Sequence, residues 1–387
     1  MAGDTPAILG GDPIFPNGPP PWPLPDDDVA AVLQATIADG TWGRYHGPHT
    51  DALTGELKSW SGCEHIELCS SGTAASELAL RAFKVSPGDE VIIGAYDYAA
   101  SFKNVLMLGA RPVLIDVEPA TFAVTPERIE AAITERTEAV VVSHLHGGLA
   151  DMPAIMDLAR QRGLLVLEDA CQATGATIND RVVGSFGTLG IISFGGSKLI
   201  TAGRGGAIIG HDQQLFQRMH VYGFRGNTAY PLSAIQAAIV LPQLKSLAAR
   251  NTHRSERVAE FRALLEPCCG LTVVAEPTSS CSAAFYKLGL MIDEAEAGLT
   301  RDQFSAAARA EGIACDRTLH GLHTVHSKRR FRAPGELLGA TRINDYGLQL
   351  HHPILLGTQT DISLVAQAFV RLVENAAAIA EHAPASC

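Results

Sequence analysis

One lysine of this sequence stands in a glycine-rich segment that joins two apolar runs. Lys198 follows Gly195 and Gly196, and further glycines stand at positions 203, 205 and 206. Glycines let a backbone approach a ligand closely, and a lysine among small and apolar neighbours loses its proton more easily than a free side chain. Schiff-base formation with an aldehyde requires an unprotonated amine. Lys198 is therefore a candidate anchor for a carbonyl cofactor, the alternative being an exposed loop lysine.

A second apolar run ends in two adjacent acids, Glu168 and Asp169. Ligands of open α/β sheets bind beyond the carboxyl ends of strands, so Asp169 points to where the ring nitrogen of a cofactor could lie. A carboxylate there keeps a pyridine nitrogen protonated, and the cationic ring stabilises a carbanion at a substrate's α-carbon. Glu168 is expected to face the other way, because side chains alternate along a strand. The alternative for Asp169 is a helix cap or a salt bridge.

A run of small residues, Ser-Ser-Gly-Thr-Ala-Ala at 70–75, ends one apolar stretch and opens a helical pattern. Free N–H groups at a helix start, with the helix dipole behind them, can bind phosphate, although the same residues also suit an ordinary Ser/Thr cap. Tyr98 follows another apolar run and could stack on a flat ring, at roughly 0.5–1.5 kcal/mol beyond area burial. Core packing is the alternative for Tyr98.

An amine, a carboxylate, a phosphate site and a flat surface are what pyridoxal 5'-phosphate (PLP) requires of a protein. Candidates for all four occur here, in an order that one sheet could bring together. The combination predicts an enzyme that uses PLP on small-molecule substrates.

Short apolar runs alternate with helical patterns up to about residue 210, after a Gly- and Pro-rich stretch at 10–28. The runs lie at 90–96, 112–117, 139–144, 164–168, 189–194 and 206–210. They are apolar on both faces and are separated by segments such as 125–136, which has a threonine cap and a proline at the first helical position. This pattern indicates βαβ units. We therefore predict an α/β fold in which helices flank a mostly parallel central sheet.

A different pattern begins near residue 250. A long helical pattern at 232–265 leads to a strand candidate at 284–292, a helix at 300–311 and a closing helix at 361–381. At 387 residues the chain exceeds the usual length of one domain. The predicted division is an N-terminal arm at 1–27, a large PLP-binding domain at 28–250 and a smaller α+β domain at 251–387.

The composition argues against several classes of protein. The net charge is −11, and the longest basic cluster is Lys328–Arg330, so the electrostatic footprint of a nucleic-acid partner is missing. We find no apolar run with the length of a membrane span and no pattern of a signal or transit peptide. The cysteines form no C-x-x-C pair and are expected to be reduced thiols of a cytoplasmic protein. They are Cys63, Cys69, Cys171, Cys268, Cys269, Cys281, Cys315 and Cys387.

Taken together, these segments resemble the DegT/DnrJ/StrS family of sugar and cyclitol aminotransferases, which are PLP-dependent transferases of fold type I. The likeness runs from about residue 20 to 375. It includes GTWGRYHGP at 40–48, SSGTAASELAL at 70–80, EDACQATGA at 168–176 and SFGGSKLITAGRGGA at 193–207. The most specific feature is an acid-x-x-Gln segment followed about two dozen residues later by S-F-x-x-S-K.

The resemblance implies a role for each candidate residue. Lys198 would form the Schiff base and later move the proton, Asp169 would pair with the pyridinium, and Gln172 would approach the ring hydroxyl. Tyr98 would stack on the ring. The phosphate would lie at the start of the helix and beside the next strand, against Gly72, Thr73, Ala74 and Ser193. Because sugar dehydratases of the family carry histidine in place of the lysine, Lys198 favours transamination.

The activity implied is transfer of an amino group from glutamate or glutamine to a keto-sugar or keto-cyclitol, in amino-sugar, aminocyclitol or secondary-metabolite biosynthesis. The run at 198–203 looks closest to scyllo-inosose aminotransferases and 3-amino-5-hydroxybenzoate synthase. Two alternatives stay open: a PLP-dependent elimination, decarboxylation or aromatising enzyme on the same fold, and a PLP-binding regulatory protein without activity. The family resemblance also implies a homodimer.

The sequence departs from the family pattern at three places. The segment 223–232 lacks the usual Gly-x-Asn-x-Arg, so we assign no substrate or phosphate contact to it. Arg204 stands where relatives usually have an acid, and Thr174 replaces a common histidine. A further loop carries Asp316, His320, His323 and His326, but spacing by threes without a fourth ligand seldom makes a zinc site. We predict no metal.

Overall fold

The computed structural model describes residues 5–265, 270–274 and 280–382. The predictions made for Cys268, Cys269 and Cys387, and for the first four residues of the N-terminal arm, lie outside the described residues. The cysteines within the described residues are free thiols. Cys171 and Cys281 are half-buried, and Cys63, Cys69 and Cys315 are buried.

The strands of the described residues are numbered in chain order. They are β1 (His65–Cys69), β2 (Glu90–Gly94), β3 (Arg111–Ile115), β4 (Thr137–Ser143), β5 (Leu165–Asp169), β6 (Thr177–Ile178), β7 (Arg181–Val182), β8 (Leu189–Ser193), β9 (Gly206–Gly210), β10 (Leu271–Val273), β11 (Cys281–Ser282), β12 (Lys287–Ile292), β13 (Cys315–Arg317) and β14 (Gly347–His351).

The α-helices are numbered in the same way. They are α1 (Asp27–Asp39), α2 (Pro48–Ser61), α3 (Gly72–Ala82), α4 (Ala99–Met107), α5 (Pro126–Ala132), α6 (Met152–Arg162), α7 (Gln213–Gly223), α8 (Ala234–Leu265), α9 (Glu294–Ala297), α10 (Arg301–Ala310), α11 (Leu322–Val325), α12 (Leu338–Tyr346), α13 (Gln359–Glu374) and α14 (Ala376–His382).

Seven strands form the central sheet, in the order β1-β9-β8-β5-β4-β2-β3. The pairs from β8 to β3 are parallel, whereas β9 runs antiparallel to both β8 and β1. No helix connects β8 to β9, and a parallel pair would require such a crossover. The predicted α/β fold with a mostly parallel central sheet is confirmed.

The central sheet is buried on both faces, as the continuous apolar runs predict. Every residue of β2, β8 and β9 is buried. Several of the helices that cover the sheet begin at residues whose side chains cap them. Ser71 caps α3 by accepting from the Ala74 N–H at 3.0 Å, and Thr125 caps α5 ahead of Pro126. With its faces covered, the sheet leaves the carboxyl ends of its strands open to ligands.

A second sheet, in the order β10-β12-β14-β13, is antiparallel throughout. Its buried side chains form an apolar cluster of their own, which Val258 and Phe261 of α8 join. Leu244 and Leu247, nearer the start of the same helix, belong to the main core. The boundary predicted at residue 250 therefore lies inside one continuous helix, and the division into domains stays a prediction.

The prediction of one continuous closing helix at 361–381 is wrong. The segment forms two helices, α13 and α14, which are bent by 74° relative to each other. Asn375 lies between them with φ −104° and ψ 17°, and its Nδ2 donates to the Arg371 carbonyl at 2.8 Å. Asparagine often interrupts helices by bonding nearby backbone groups, which an apolar pattern alone does not reveal. The strand predicted at 284–292 likewise begins only at Lys287.

Within the described ranges, no single helix has the length and apolar character needed to cross a membrane. The bent pair of α13 and α14 meets that test only when its two helices are taken together, by length and composition alone. Ile362, Val365 and Phe369 of α13 are buried in the second apolar cluster.

Candidate active site

A cavity of about 570 Å³ opens at the carboxyl ends of β5 and β8. It is lined by residues from the central sheet, from the start of α3 and from the C-terminal part of the chain. Among the residues predicted for the site, Gly72, Thr73, Tyr98, Asp169, Gln172, Ser193 and Lys198 line this cavity. Ala74 is not among the lining residues, because it is buried in the first turn of α3.

The start of α3 packs tightly against the ends of two strands. A methyl group on Gly72 would lie 2.9 Å from Cys171 Sγ and 3.1 Å from Ser193 Cβ, so only glycine fits without displacement. The first N–H groups of a helix have no partner within it and carry the positive end of its dipole. This end of α3 therefore presents hydrogen-bond donors to an anion in the cavity.

Asp169 ends β5 and pairs in register with Ser143, which ends β4. One of its carboxylate oxygens accepts from the Cys171 N–H at 2.9 Å. The side chain is only 9% exposed, and that exposed part faces the cavity. A carboxylate so placed can stabilise a positive charge on a bound ring.

A second carboxyl group, that of Asp97, is buried near Asp169. Its oxygens accept from Ser143 Oγ at 2.9 Å and from the Tyr98 N–H at 2.6 Å. Burial and the negative charge of Asp169 raise the pKa of Asp97 to about 8. The Asp97 carboxyl group is thus mostly protonated at neutral pH. Sequence reasoning did not single out Asp97.

The loop that carries Lys198 is held by side chains from the C-terminal part of the chain. Ser197 Oγ and Tyr286 Oη are hydrogen-bonded at 2.7 Å, and the His352 ring nitrogen Nε2 lies 3.1 Å from the Ser197 carbonyl. Lys198 Nζ lies 4.2 Å from the centre of the Tyr286 ring. The lysine amine is therefore positioned over an aromatic face at one wall of the cavity.

Glu168 points away from the cavity, as the alternation along β5 predicts. Its buried carboxylate accepts from the N–H groups of Gly184, Phe186 and Gly187 at 2.7–2.8 Å. His144 Nε2 lies 3.3 Å from the same carboxylate. Glu168 thereby fixes the segment that leads into β8, on the side of β5 that faces away from the cavity.

Four residues of the C-terminal part also line the cavity: Tyr286, Lys287, Leu319 and Gln349. The family resemblance places a substrate-side Leu-His at Leu319, but sequence reasoning did not select Tyr286, Lys287 or Gln349, because they lie far along the chain from Lys198 in ordinary strand and loop segments. One feature of the sequence could have pointed to Lys287. It is a charged residue at the start of an otherwise apolar strand, where charged side chains are uncommon.

The departures from the family pattern have distinct positions. Arg204 is exposed and lines the cavity. Thr174 is buried, and its hydroxyl donates to the Ala170 carbonyl at 3.2 Å. The segment 223–232 folds into a short turn in which Phe224 bridges Thr228, and none of its residues lines the cavity.

The acid and the histidines between residues 316 and 326 do not converge on one point. Each contacts a different partner, namely Arg309 for Asp316, Arg317 for His320, Thr341 for His323 and Phe102 for His326. Across the described residues, no three His, Cys, Asp or Glu side chains are grouped as a metal site.

With this geometry in place, comparison with known proteins decides the family. The sequence profile of the DegT/DnrJ/EryC1/StrS aminotransferase family matches residues 25–369. The chain belongs to this family. The predicted family and the predicted enzyme class, an aminotransferase, are both confirmed.

Relatives of this aminotransferase include cyclitol and sugar enzymes. It is 31% identical to L-glutamine:scyllo-inosose aminotransferase of Streptomyces griseus, over 95% of this chain and 97% of that protein. It is 39% identical to UDP-N-acetyl-3-dehydro-alpha-D-glucosamine 3-aminotransferase of Acidithiobacillus ferrooxidans, over 74% and 75% of the two chains.

Enzymes of known structure share the fold of this aminotransferase. The crystal structure of 3-amino-5-hydroxybenzoic acid synthase has a TM-score of 0.84 at 26% identity, covering 92% of this chain and 99% of that one. Two more distant structures of the same fold were determined in the pyridoxamine phosphate form or with hydrated PLP. The fold is thus that of PLP-dependent enzymes.

Proposed function

We propose that this aminotransferase uses PLP to move an amino group from L-glutamine or L-glutamate to a keto-cyclitol or keto-sugar. The observation that carries the proposal is that the Lys198 amine, the Asp169 carboxylate and the start of α3 line one cavity. The chemistry named for its relatives supports the substrate class, because the scyllo-inosose enzyme matches nearly the whole chain. The product would enter the biosynthesis of amino sugars, aminocyclitols or other secondary metabolites.

The cavity is suited to PLP in size and in polarity. Its volume of about 570 Å³ is in the range of small-molecule sites. Gln172 Oε1 is buried without a hydrogen-bond partner, although buried polar atoms in native structures are nearly always paired. A ring hydroxyl would supply that partner. Gly72 brings the N–H groups of α3 close to Ser193, where a phosphate would find donors from both.

Each residue then has a specific task toward the cofactor. Lys198 would hold its aldehyde carbon, and Asp169 would keep its ring nitrogen protonated. Tyr98 would lie against the ring face. Thr73, Ser193 and the backbone of the first turn of α3, which includes Ala74, would hold the phosphate. When bound, the cofactor supplies an electron-withdrawing ring that makes the α-carbon of an amino acid acidic.

The chain's own residues would manage the protons of the reaction. The Lys198 amine would remove the proton from the α-carbon of the donor and, in the second half-reaction, deliver a proton to the former carbonyl carbon of the acceptor. Asp97, mostly neutral at pH 7, would place no full second negative charge beside Asp169. The tight loop contacts through Ser197 would keep the lysine within reach of both substrates.

The test combines a covalent and a kinetic measurement. Borohydride reduction of the PLP-loaded protein should fix the cofactor mass on the peptide that contains Lys198. Replacement of Lys198 with Ala should abolish this label and lower amino transfer from L-glutamine to scyllo-inosose by about 10³-fold or more. Lys245→Ala, at an exposed lysine outside the cavity, is the matched control. Label or full activity retained in Lys198→Ala would refute the proposal.

A second candidate function is suggested by the similarity to 3-amino-5-hydroxybenzoic acid synthase. The same cavity would then carry out an elimination or aromatising reaction. The two functions differ in stoichiometry, because amino transfer consumes one amino acid for each amine product. A dehydrated or aromatic product formed without loss of glutamine or glutamate would favour the second candidate.

We further propose that the protein is a cytoplasmic homodimer. Large apolar side chains outside the cavity are exposed in the single chain, among them Trp42 (54%), Tyr45 (81%) and Phe224 (50%). Exposed aromatic groups of this kind mark interaction surfaces. Light scattering should give twice the mass of one chain, and a monomer at micromolar concentration would contradict the proposal.

A further inference from the structure

A second lysine amine reaches the cavity from the side opposite the central sheet. Lys287 is the first residue of β12 and pairs in register with His351 of β14. It lines the cavity together with Lys198 and Gln349. In the proposed mechanism Lys198 transfers the protons, and Lys287 has no assigned role.

Lys287 has no anionic partner in the part of the chain that the structure describes. No ion pair or side-chain hydrogen bond joins its amine to a described residue, and its Nζ lies 5.6 Å from the centre of the Tyr286 ring. Asp316, whose charge acts on Lys287, is already paired with Arg309. A half-buried ammonium group without a partner is costly unless a ligand supplies the anion.

The surroundings of Lys287 are electropositive. Burial and the charge of Lys198 lower the pKa of Lys287 to about 8, which still leaves it mostly protonated at neutral pH. Burial and the charge of Lys287 in turn lower the pKa of His351 to about 4. Because His351 stays neutral, it adds no positive charge of its own here, and an anion entering the cavity would be attracted to the Lys287 amine.

The two lysine amines lie close enough to act on one small substrate. Lys198 Nζ and Lys287 Nζ lie 4.2 Å and 5.6 Å from the centre of the same Tyr286 ring. Their separation cannot exceed the sum of these distances. An α-amino acid whose carboxylate meets Lys287 would therefore lie in the same cavity as the Lys198 amine.

We propose that Lys287 binds the carboxylate group of the amino donor. The inference rests on the proposed amino-transfer function. We assign Lys287 to the donor because every α-amino acid carries a carboxylate next to the reacting carbon, whereas a keto-cyclitol or a keto-sugar without phosphate carries no anionic group. Lys287 is thus a specificity-determining residue for the donor, distinct from the proton-transfer residue Lys198.

The test compares two ligands that differ by the carboxylate. 2-Methyl-L-glutamine has no α-proton to remove, and 4-amino-4-methylpentanamide, which carries a methyl group in place of the carboxylate, has none either. Binding of each to the PLP-loaded protein is measured by titration calorimetry. Lys287→Gln should weaken binding of 2-methylglutamine about 10- to 100-fold, the range of a charge-assisted hydrogen bond, and leave binding of 4-amino-4-methylpentanamide unchanged.

Two further variants separate charge from packing. Lys287→Arg keeps the positive charge and should retain most of the preference for the carboxylate ligand. Lys245→Gln removes an exposed lysine outside the cavity and should change neither affinity. Equal weakening of both ligands by Lys287→Gln, or no weakening of either, would overturn the assignment.

Failure of this inference can be distinguished from failure of the proposed function. If L-glutamine does not change the cofactor absorbance of the unmodified protein, amino transfer from glutamine is refuted, whatever the calorimetry gives. If that change occurs but Lys287→Gln keeps the carboxylate preference, only the role of Lys287 is refuted. If Lys287→Gln raises the KM for the acceptor and leaves the KM for L-glutamine unchanged, the proposed role of Lys287 is also refuted.

Discussion

The amine of Lys198 lies 4.2 Å from the centre of the Tyr286 ring, and the Tyr286 hydroxyl is hydrogen-bonded to Ser197 Oγ at 2.7 Å. The lysine belongs to the loop after β8 of the central sheet, whereas the tyrosine immediately precedes β12 of the second sheet. One aromatic side chain therefore fixes the loop and covers the amine at the same time. The site depends on the packing of both sheets.

Replacement of Tyr286 should reveal these two contributions separately. Tyr286→Phe removes only the hydrogen bond to Ser197 and should slow the half-reaction with L-glutamine about five- to tenfold, as expected for about 1 kcal/mol of lost positioning. Tyr286→Leu also removes the ring beneath Lys198 and should slow it further, by up to about tenfold more. Stopped-flow absorbance of the cofactor measures both rates. Tyr346→Phe, at an exposed tyrosine outside the cavity, should leave the rate unchanged.

Gly72→Ala should weaken both the fold and the binding of PLP. The added methyl group would lie 2.9 Å from Cys171 Sγ and 3.1 Å from Ser193 Cβ, so α3 or the strand ends must move. Overpacking of this kind costs about 1–3 kcal/mol, which exceeds the gain in helix propensity. Urea unfolding and equilibrium dialysis of PLP measure the two effects.

Gly55→Ala is the control for this substitution. Gly55 lies in α2, and a methyl group there meets no atom within 4 Å. Only the helix-propensity gain of about 0.5–1 kcal/mol remains, so this variant should be slightly more stable than the original protein. Equal effects at Gly55 and Gly72 would show that crowding at the phosphate end of the cavity is unimportant.

Asp97 should make stability fall with increasing pH. Its pKa is about 8 in the fold, raised by burial and by Asp169, against 3.8 for an ordinary aspartate. Between about pH 4 and pH 8 the folded protein therefore retains a proton that the unfolded chain has released, and stability falls as pH rises through this range. The total loss is on the order of 5 kcal/mol, from 1.36 kcal/mol per pKa unit.

Asp97→Asn should remove this dependence, because the amide mimics the neutral carboxyl group. Relative to the original protein, the variant should become progressively more stable from pH 5 to pH 8 in denaturant unfolding without cofactor. Glu135→Gln, at an exposed acid, is the comparison and should show no such trend. A parallel pH profile for Asp97→Asn and the original protein would show that Asp97 is ionised in the fold.

Donor recognition should weaken above pH 8 if Lys287 binds the carboxylate. The titratable groups that interact with Lys287 are Lys198, Asp316, His146, His351 and His352. Burial with the charge of Lys198 gives Lys287 a pKa of about 8. A lysine loses its charge as pH rises through its pKa, so the charged fraction falls about tenfold from pH 7 to pH 9. kcat/KM for L-glutamine should fall accordingly.

The Lys287→Arg variant supplies the reference for this profile, because a guanidinium stays charged throughout the range. The ratio of kcat/KM between the original enzyme and Lys287→Arg should drop about tenfold from pH 7 to pH 9. Changes in the donor's own ionisation cancel in this ratio. A ratio that stays constant would indicate that the charge of Lys287 does not contribute to donor binding.

Much of the fold follows from local sequence patterns. Apolar runs and turn residues predict six of the seven strands of the central sheet to within two residues, including β9 at its observed bounds, Gly206–Gly210. The acid pair at the end of β5 also behaves as side-chain alternation requires, with Glu168 turned away from the cavity. These features are local because hydrogen bonding and burial within a strand depend mainly on the strand's own residues.

Only the tertiary structure decided the rest. The antiparallel direction of β9, the bend at Asn375 and the pairing of Ser197 with Tyr286, 89 residues apart, are not encoded in any single segment. Sequence alone identifies Lys198 as the cofactor lysine, but the protonated state of Asp97 and the unpaired charge of Lys287 arise from burial among distant groups. Solvation and charge at a site depend on everything packed around it, and so they emerge only when the chain has folded.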